Sequence, residues 1–298
     1  MSRAPYAPLE HFVAPARARA EIWRLLLGIV LIVAIYLGAL FLFGLGLSRA
    51  FGAHVANEIL ARMERADTPG SALLLLYSFL AMAIGPMVAV RLLHKRSAAT
   101  LFGPSIAAAA HDFRRLALPL AGLQVITLPL VLLSGGLQPG LALASFLLYL
   151  PFAALGVLVQ VGAEELVFRG YLQQQLAARF RHSAIWMGVP ALLFSFGHYA
   201  PAQFGPNAPM IVLWAFVFAC LASDLTARTG TIGAALAFHF FNNLTAFLLI
   251  APSGNLDGLA LWTLDIDISD ASGFRAALVA DLLAIIIAWL VARLSLRV

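Results

Sequence analysis

Long apolar runs separated by short polar segments dominate this chain. A helix needs about 20 apolar residues to cross the hydrocarbon core of a membrane. The pattern predicts such helices at residues 23–47, 72–93, 116–134, 150–176, 184–199, 209–226, 231–251 and 276–293. We therefore expect an all-α fold, a polytopic membrane helical bundle of about eight transmembrane helices.

Proline interrupts the pattern before the fourth predicted helix. Apolar sequence begins at Leu141, but Pro151 is expected to break or kink a helix, because its ring removes a hydrogen bond and clashes with the preceding turn. Residues 141–149 are therefore predicted to form a separate short helix. We expect this break and the three glutamines at 173–175 to shape an opening for a substrate.

Charge placement predicts how the bundle lies in the membrane. The first 22 residues are polar and contain three prolines, which indicates a cytoplasmic, partly disordered arm, and residues 23–298 then form a single transmembrane bundle. Placing the N-terminus inside leaves most of the 19 arginines and lysines in cytoplasmic segments. Both termini are therefore predicted to be cytoplasmic.

Composition narrows the class of protein. The chain is 62% hydrophobic and 11% charged, whereas a soluble domain carries about 25% charged residues. The net charge of +5 lies in loops beside apolar runs, which favours membrane lipids rather than nucleic acid as partners. The single cysteine, Cys220, excludes an intrachain disulfide.

Two adjacent glutamates stand inside the fourth predicted helix, where ionisable groups are costly and are usually functional. Glu165 and Arg169 are four residues apart, so they share a helix face and can pair. Glu164 points about 100° away and lacks that partner. We interpret Glu165–Arg169 as a structural pair and Glu164 as the carboxylate available for chemistry; the alternative is that both glutamates share Arg169.

Polar residues also occur in the fifth and seventh predicted helices. His239 and Asn243 share a helix face, where they could stabilise an oxyanion or simply clamp two helices together. Phe194 lies one turn before His198 and could hold its imidazole, although His198 could also be a packing contact. The helical rise places Glu164, His198, His239 and Asn243 about 12–22 Å from the inner face, in one layer of the membrane.

A carboxylate and a histidine can activate water, and a His/Asn pair can hold the resulting oxyanion. These groups suffice for amide hydrolysis without a covalent intermediate. The sequence contains neither a Gly-x-Ser-x-Gly nor a His-Glu-x-x-His motif.

Three motifs follow one another on separate predicted helices: Glu164-Glu165-x-x-x-Arg169, Phe194-x-x-x-His198 and His239-x-x-x-Asn243. Together they resemble the CPBP family, also called Abi or CAAX proteases and bacteriocin-processing enzymes, which includes the type II CAAX prenyl endopeptidases. The resemblance covers residues 160–245.

The resemblance implies an intramembrane glutamate-type endopeptidase that works without a cofactor, although such enzymes have also been described as metalloendopeptidases. Glu164 and His198 would activate the attacking water, while His239 and Asn243 would form the oxyanion hole. The remaining motif residues would support the site: Glu165, Arg169 and Phe194.

Two alternatives remain at this stage. A zinc-dependent form of the same protease would use Glu164, His198 and His239 as ligands, because two histidines and a carboxylate form a known catalytic zinc set. A non-catalytic membrane protein, such as a peptide-binding or immunity protein, could keep the same pocket.

The resemblance also limits the substrate and the location. The substrate would be a membrane-associated peptide or protein, either CAAX-like and lipidated or a bacterial peptide. The arginine-rich, compact chain is typical of a bacterial protein, which predicts the inner membrane. The sequence carries no signal for the oligomeric state.

Overall fold

A computed structural model describes residues 5–133, 135–264 and 271–298, without the side chains of Gln203, Ala271 and Ser272. The helices within these ranges are α1 (Leu9–Val13), α2 (Ile22–Phe51), α3 (Ala53–Arg65), α4 (Pro69–Leu92), α5 (Ile106–Leu133), α6 (Leu143–Glu165), α7 (Gln174–Arg179), α8 (Val189–Phe196), α9 (Pro201–Phe204), α10 (Ala208–Thr229), α11 (Gly233–Leu244) and α12 (Ala271–Leu296). Short 3₁₀ turns span Ala14–Arg19, Ala98–Leu101 and Gly205–Asn207.

Three short strands, β1 (Leu137–Pro139), β2 (Ile250–Pro252) and β3 (Trp262–Leu264), form a small sheet in the order β1-β3-β2. Strand β3 pairs antiparallel with β1 and parallel with β2. The sheet joins the loop after α5 to the loop after α11.

Six helices in the described part of the chain are long and apolar enough to cross a membrane: Ile22–Phe51, Pro69–Leu92, Ala98–Leu133, Leu143–Arg179, Gly205–Thr229 and Gly273–Leu296. Two shorter apolar helices, Ala184–Phe196 and Gly233–Leu249, occupy the positions of the fifth and seventh predicted spans. The predicted class, an all-α polytopic membrane bundle, is confirmed. The plan of eight spans becomes six long helices and two short ones.

The predicted break at Pro151 is wrong. Helix α6 begins at Leu143 and runs through Pro151, and residues 141–149 form no separate helix. A long helix packed against neighbours can keep a proline, because nearby polar groups and small backbone adjustments compensate for the lost hydrogen bond and the steric clash. The helix changes its hydrogen-bond pattern later, in a π-helical stretch at Leu166–Gln173 that leads without interruption into α7.

The glutamines at 173–175 are buried and do not line an opening, against the prediction. Gln173 donates to the carbonyl of Ser223, and Gln174 donates to the carbonyls of Phe12 and Thr100. These side chains tie α7 to its neighbours.

Residues 5–19 are folded, so the prediction of a partly disordered arm is also wrong for this segment. They form α1 and a 3₁₀ turn, and Phe12 and Val13 are fully buried. The arm packs on Gly230, whose φ of +72° ends α10 and where an added Cβ would lie 2.5 Å from the carbonyl oxygen of Pro8. The proline-rich sequence does not indicate this ordered structure, because tertiary contacts rather than local propensity stabilise it.

Helix α11 starts at Gly233, which determines where the helix sits. A Cβ at this position would lie 1.9 Å from the carbonyl oxygen of Ala109 in α5, so only glycine permits this approach. The close contact sets α11 beside α5, and α11 also packs against α6 and α10.

Candidate active site

The pairing predicted within the fourth helix is present. Arg169 Nη1 donates to Glu165 Oε1 at 2.8 Å, and the two side chains are 1% and 0% exposed. Arg169 Nη2 also donates to the carbonyl of Ala219 at 3.2 Å, which ties the π-helical stretch Leu166–Gln173 to α10. A charged pair so deeply buried is held together by mutual neutralisation.

Glu165 also binds the imidazole of His239, which the sequence did not predict. His239 Nδ1 lies 2.8 Å from Glu165 Oε1, the same oxygen that accepts from Arg169. Because a carboxylate accepts hydrogen bonds, Nδ1 carries the proton in this contact. Glu165 therefore fixes the orientation of the His239 ring and directs Nε2 towards Glu164.

Glu164 lies on the other side of that imidazole. Its Oε2 is 3.5 Å from His239 Nε2, and its side chain is 12% exposed. This oxygen is buried and accepts no hydrogen bond from the described part of the chain. Glu164 therefore makes weaker polar contacts than Glu165 and is the carboxylate more available for chemistry, as the spacing predicted.

Asn243 binds a residue that the sequence reading missed. Asn243 Nδ2 donates to Gln160 Oε1 at 2.9 Å, and Asn242 Nδ2 donates to Asn243 Oδ1 at 3.1 Å. Gln160 lies one helical turn before Glu164. The contacts Gln160–Asn243 and Glu164–His239 therefore join α6 to α11 at neighbouring positions along both helices. The spacing of four residues from Glu164 was the available signal.

His198 lies beyond the end of α8, which finishes at Phe196, and so it is not within a helix as predicted. Its Nδ1 is 2.9 Å from the carbonyl oxygen of Phe194, which can only accept, so Nδ1 carries the proton. A neutral ring then presents an unprotonated Nε2.

Aromatic rings pack against both histidines of the site, His198 and His239. The Phe194 ring centroid is 4.6 Å from His198 and 6.0 Å from His239, and the Arg169 guanidinium carbon lies 5.2 Å over the same ring. Phe218 packs edge-on against His239 at 4.9 Å. Phe194 therefore connects the two imidazoles, and the rings limit the movement of His239.

The site thus brings Glu164, Glu165, Arg169 and His239 into direct contact and places Asn243 beside them through Gln160. His198 contacts this cluster through Phe194. No group of three or more His, Cys, Asp or Glu residues in the described ranges is placed to hold a metal ion.

Comparison with known proteins agrees with the motifs. Residues 145–245 match the family model described as type II CAAX prenyl endopeptidase Rce1-like. The match covers about a third of the chain, contains every motif residue, and confirms the resemblance to the CPBP and CAAX protease family. It supports an integral membrane protein and, in general, a CAAX-type intramembrane endopeptidase. Neither the curated proteins nor the solved structures contain a match.

Proposed function

We propose that this protein is an intramembrane endopeptidase in which Glu164 and His198 activate water and His239 and Asn243 stabilise the oxyanion. One observation carries the proposal: Glu164 Oε2 is buried, accepts no hydrogen bond from any described residue and lies 3.5 Å from His239 Nε2. The amide of Asn243, oriented by Gln160, lies one helical turn away. Groups in such a low-dielectric site act more strongly than they would in water.

In the proposed reaction, Glu164 or His198 accepts a proton from water, and the water oxygen bonds to the carbonyl carbon of the scissile peptide. The carbonyl oxygen becomes an oxyanion that accepts hydrogen bonds from Asn243 Nδ2 and His239 Nε2. The C–N bond then breaks and the stored proton passes to the departing nitrogen, while the second proton of the water stays on the new carboxyl group. The products are a carboxylic acid and a neutral amine, and the catalytic groups return to their starting protonation state.

Glu165 supports the proposed role of His239. To donate from Nε2 while Nδ1–H stays bonded to Glu165, the ring has to be an imidazolium. Glu165 contacts His239 Nδ1 at 2.8 Å, the position from which an acidic partner holds the ring of a catalytic histidine in its working orientation. Arg169 in turn neutralises Glu165 and anchors it to α10.

We propose that the reaction proceeds without a metal step, with water activated by the side chains alone. We expect activity to survive a strong zinc chelator, measured as cleavage of a membrane-anchored reporter peptide by the purified protein. Loss of cleavage that added zinc restores would overturn the metal-free mechanism and favour the zinc-dependent alternative.

The substrate we propose is a peptide or protein held at the membrane, either lipidated and CAAX-like or a bacterial peptide. We place the enzyme in the bacterial inner membrane. Mass spectrometry of membrane peptides from cells with the natural protein and with Glu164→Gln would identify products that appear only with the intact carboxylate.

The decisive variant is Glu164→Gln, which keeps the shape of the side chain and removes its basicity. We expect cleavage to fall at least about 10²-fold while the protein stays folded. Glu58→Gln, on the exposed surface of α3, is the matched control and should cleave normally. Normal cleavage by Glu164→Gln would reject the assignment, and a protein that binds prenyl peptides without ever cutting them would be a binding protein.

A further inference from the structure

A cavity lies away from the acid–imidazole cluster, between the N-terminal arm and the connection from α7 to α8. Its volume is about 670 Å³, which is within the usual range for small-molecule sites. It is lined by Tyr6, Leu9, Glu10, Arg17, Ala177, Ala178, Arg179, Phe180, Arg181 and Trp186. None of these residues belongs to the proposed catalytic site.

The arm that forms one wall of this cavity is firmly attached. Tyr6 Oη donates to Asp224 Oδ1 at 2.8 Å, and Gln174 donates to the carbonyl of Phe12 at 2.7 Å. The close approach of Pro8 to Gly230 adds a third attachment. The cavity is therefore part of the fold and does not depend on a loose segment.

The cavity combines a cationic rim with an aromatic floor. Arg17 pairs with Glu10, but Arg179 and Arg181 are exposed and form no ion pair with any described residue. The floor contains Trp186, which is buried and packs edge-on against Tyr6 with ring centroids 5.7 Å apart. An anionic group at the rim would meet two uncompensated guanidinium groups.

The position of the cavity indicates where such an anion comes from. Arg179 ends the long apolar helix Leu143–Arg179, and the next apolar helix begins at Ala184. The cavity thus lies where two apolar helices reach their ends. Because apolar helices end where the hydrocarbon ends, we expect this level to be that of the lipid headgroups. Basic pockets at this level between membrane helices bind anionic lipids.

We propose that this cavity binds the headgroup of an anionic phospholipid, with Arg179 and Arg181 contacting the phosphate and the aromatic floor contacting the glycerol and upper acyl region. Arginine suits this role because its planar fork donates two parallel hydrogen bonds to phosphate oxygens. The ligand is a structural lipid of the membrane and takes no part in the cleavage.

The test is native mass spectrometry of the full-length protein in neutral detergent with added phosphatidylglycerol or phosphatidylcholine. We expect retention of phosphatidylglycerol and not of phosphatidylcholine. Each basic residue near a lipid headgroup contributes about fivefold in affinity, so Arg179→Gln/Arg181→Gln should weaken binding about 25-fold. The control Arg49→Gln/Arg62→Gln removes the same number of exposed charges elsewhere and should bind normally.

A third variant, Ala178→Trp, fills the cavity but keeps every charge. It should also lose phosphatidylglycerol, because the headgroup needs the space. Unchanged binding by Ala178→Trp, equal retention of both lipids, or equal loss in both double variants would overturn the proposal. Binding of inorganic phosphate alone, with no retained lipid, would assign the cavity to a soluble phosphate and would also overturn it.

Discussion

The buried pair of Glu165 and Arg169 allows a direct test of how strongly burial makes the ion pair necessary for stability. Changing Glu165 to Gln keeps an oxygen that can accept from Arg169 and His239, so the main loss is the negative charge. Both side chains are almost fully buried, so the guanidinium is left without a counter-charge. Breaking such a pair costs about 3–5 kcal/mol of unfolding free energy.

The same chain supplies a matched comparison. Arg62 and Glu58 are also four residues apart and lie 2.9 Å from each other, but both side chains are 54% exposed. An exposed pair contributes about 0–1 kcal/mol. Glu58→Gln should therefore change the unfolding free energy by less than about 1 kcal/mol, although its spacing and contact distance are nearly the same.

The assay is equilibrium unfolding in mixed micelles, followed by circular dichroism, for Glu165→Gln, Arg169→Met and the double variant. Removing both charges leaves neither unpaired, so the double variant should be more stable than the sum of the single effects predicts, by at least about 2 kcal/mol. Additive effects, or a cost for Glu165→Gln no larger than that for Glu58→Gln, would refute the idea that burial makes this pair essential.

Two further predictions concern the neighbouring contacts. Asn243→Ala should lower kcat about 10²–10³-fold with little change in KM, because an oxyanion donor acts mainly in the transition state. Gln160→Ala should lower kcat less, and an unchanged kcat in both variants would contradict the assignment of Asn243 to the oxyanion hole. Burial, the hydrogen bond to Asp224 and its charge raise the pKa of Tyr6, so the arm should stay docked below the ordinary tyrosine value of about 10 and loosen as pH rises beyond it. An ultraviolet difference titration against Tyr6→Phe checks this, and a Tyr6 midpoint at or below the ordinary value would contradict it.

The sequence could predict contacts within one helix because the period of 3.6 residues fixes them. The pairing of Glu165 with Arg169 and the shared face of His239 and Asn243 follow from a spacing of four. The bond from His239 to Glu165 could not be predicted, since it depends on how α11 is turned against α6. Gln160 was missed for a related reason: its spacing of four residues places it on the helix face of Glu164, but its partner Asn243 lies on another helix.

The errors at Pro151 and in the arm have one physical cause. Both predictions relied on local propensity, and packing reversed them. A proline inside a long packed helix costs one hydrogen bond, which the neighbouring helices offset. The arm folds because Phe12 and Val13 are buried against the bundle. A polar, proline-rich sequence gives no local signal for such tertiary contacts.

The shortness of Ala184–Phe196 has a consequence for the surrounding bilayer. Thirteen residues of helix extend about 20 Å, roughly 10 Å less than the hydrocarbon thickness. Such a negative hydrophobic mismatch is relieved when the bilayer thins locally and headgroups move inward. That deformation would bring hydrated headgroups closer to the turn that contains His198. The water consumed in hydrolysis would then cross less hydrocarbon to reach the site.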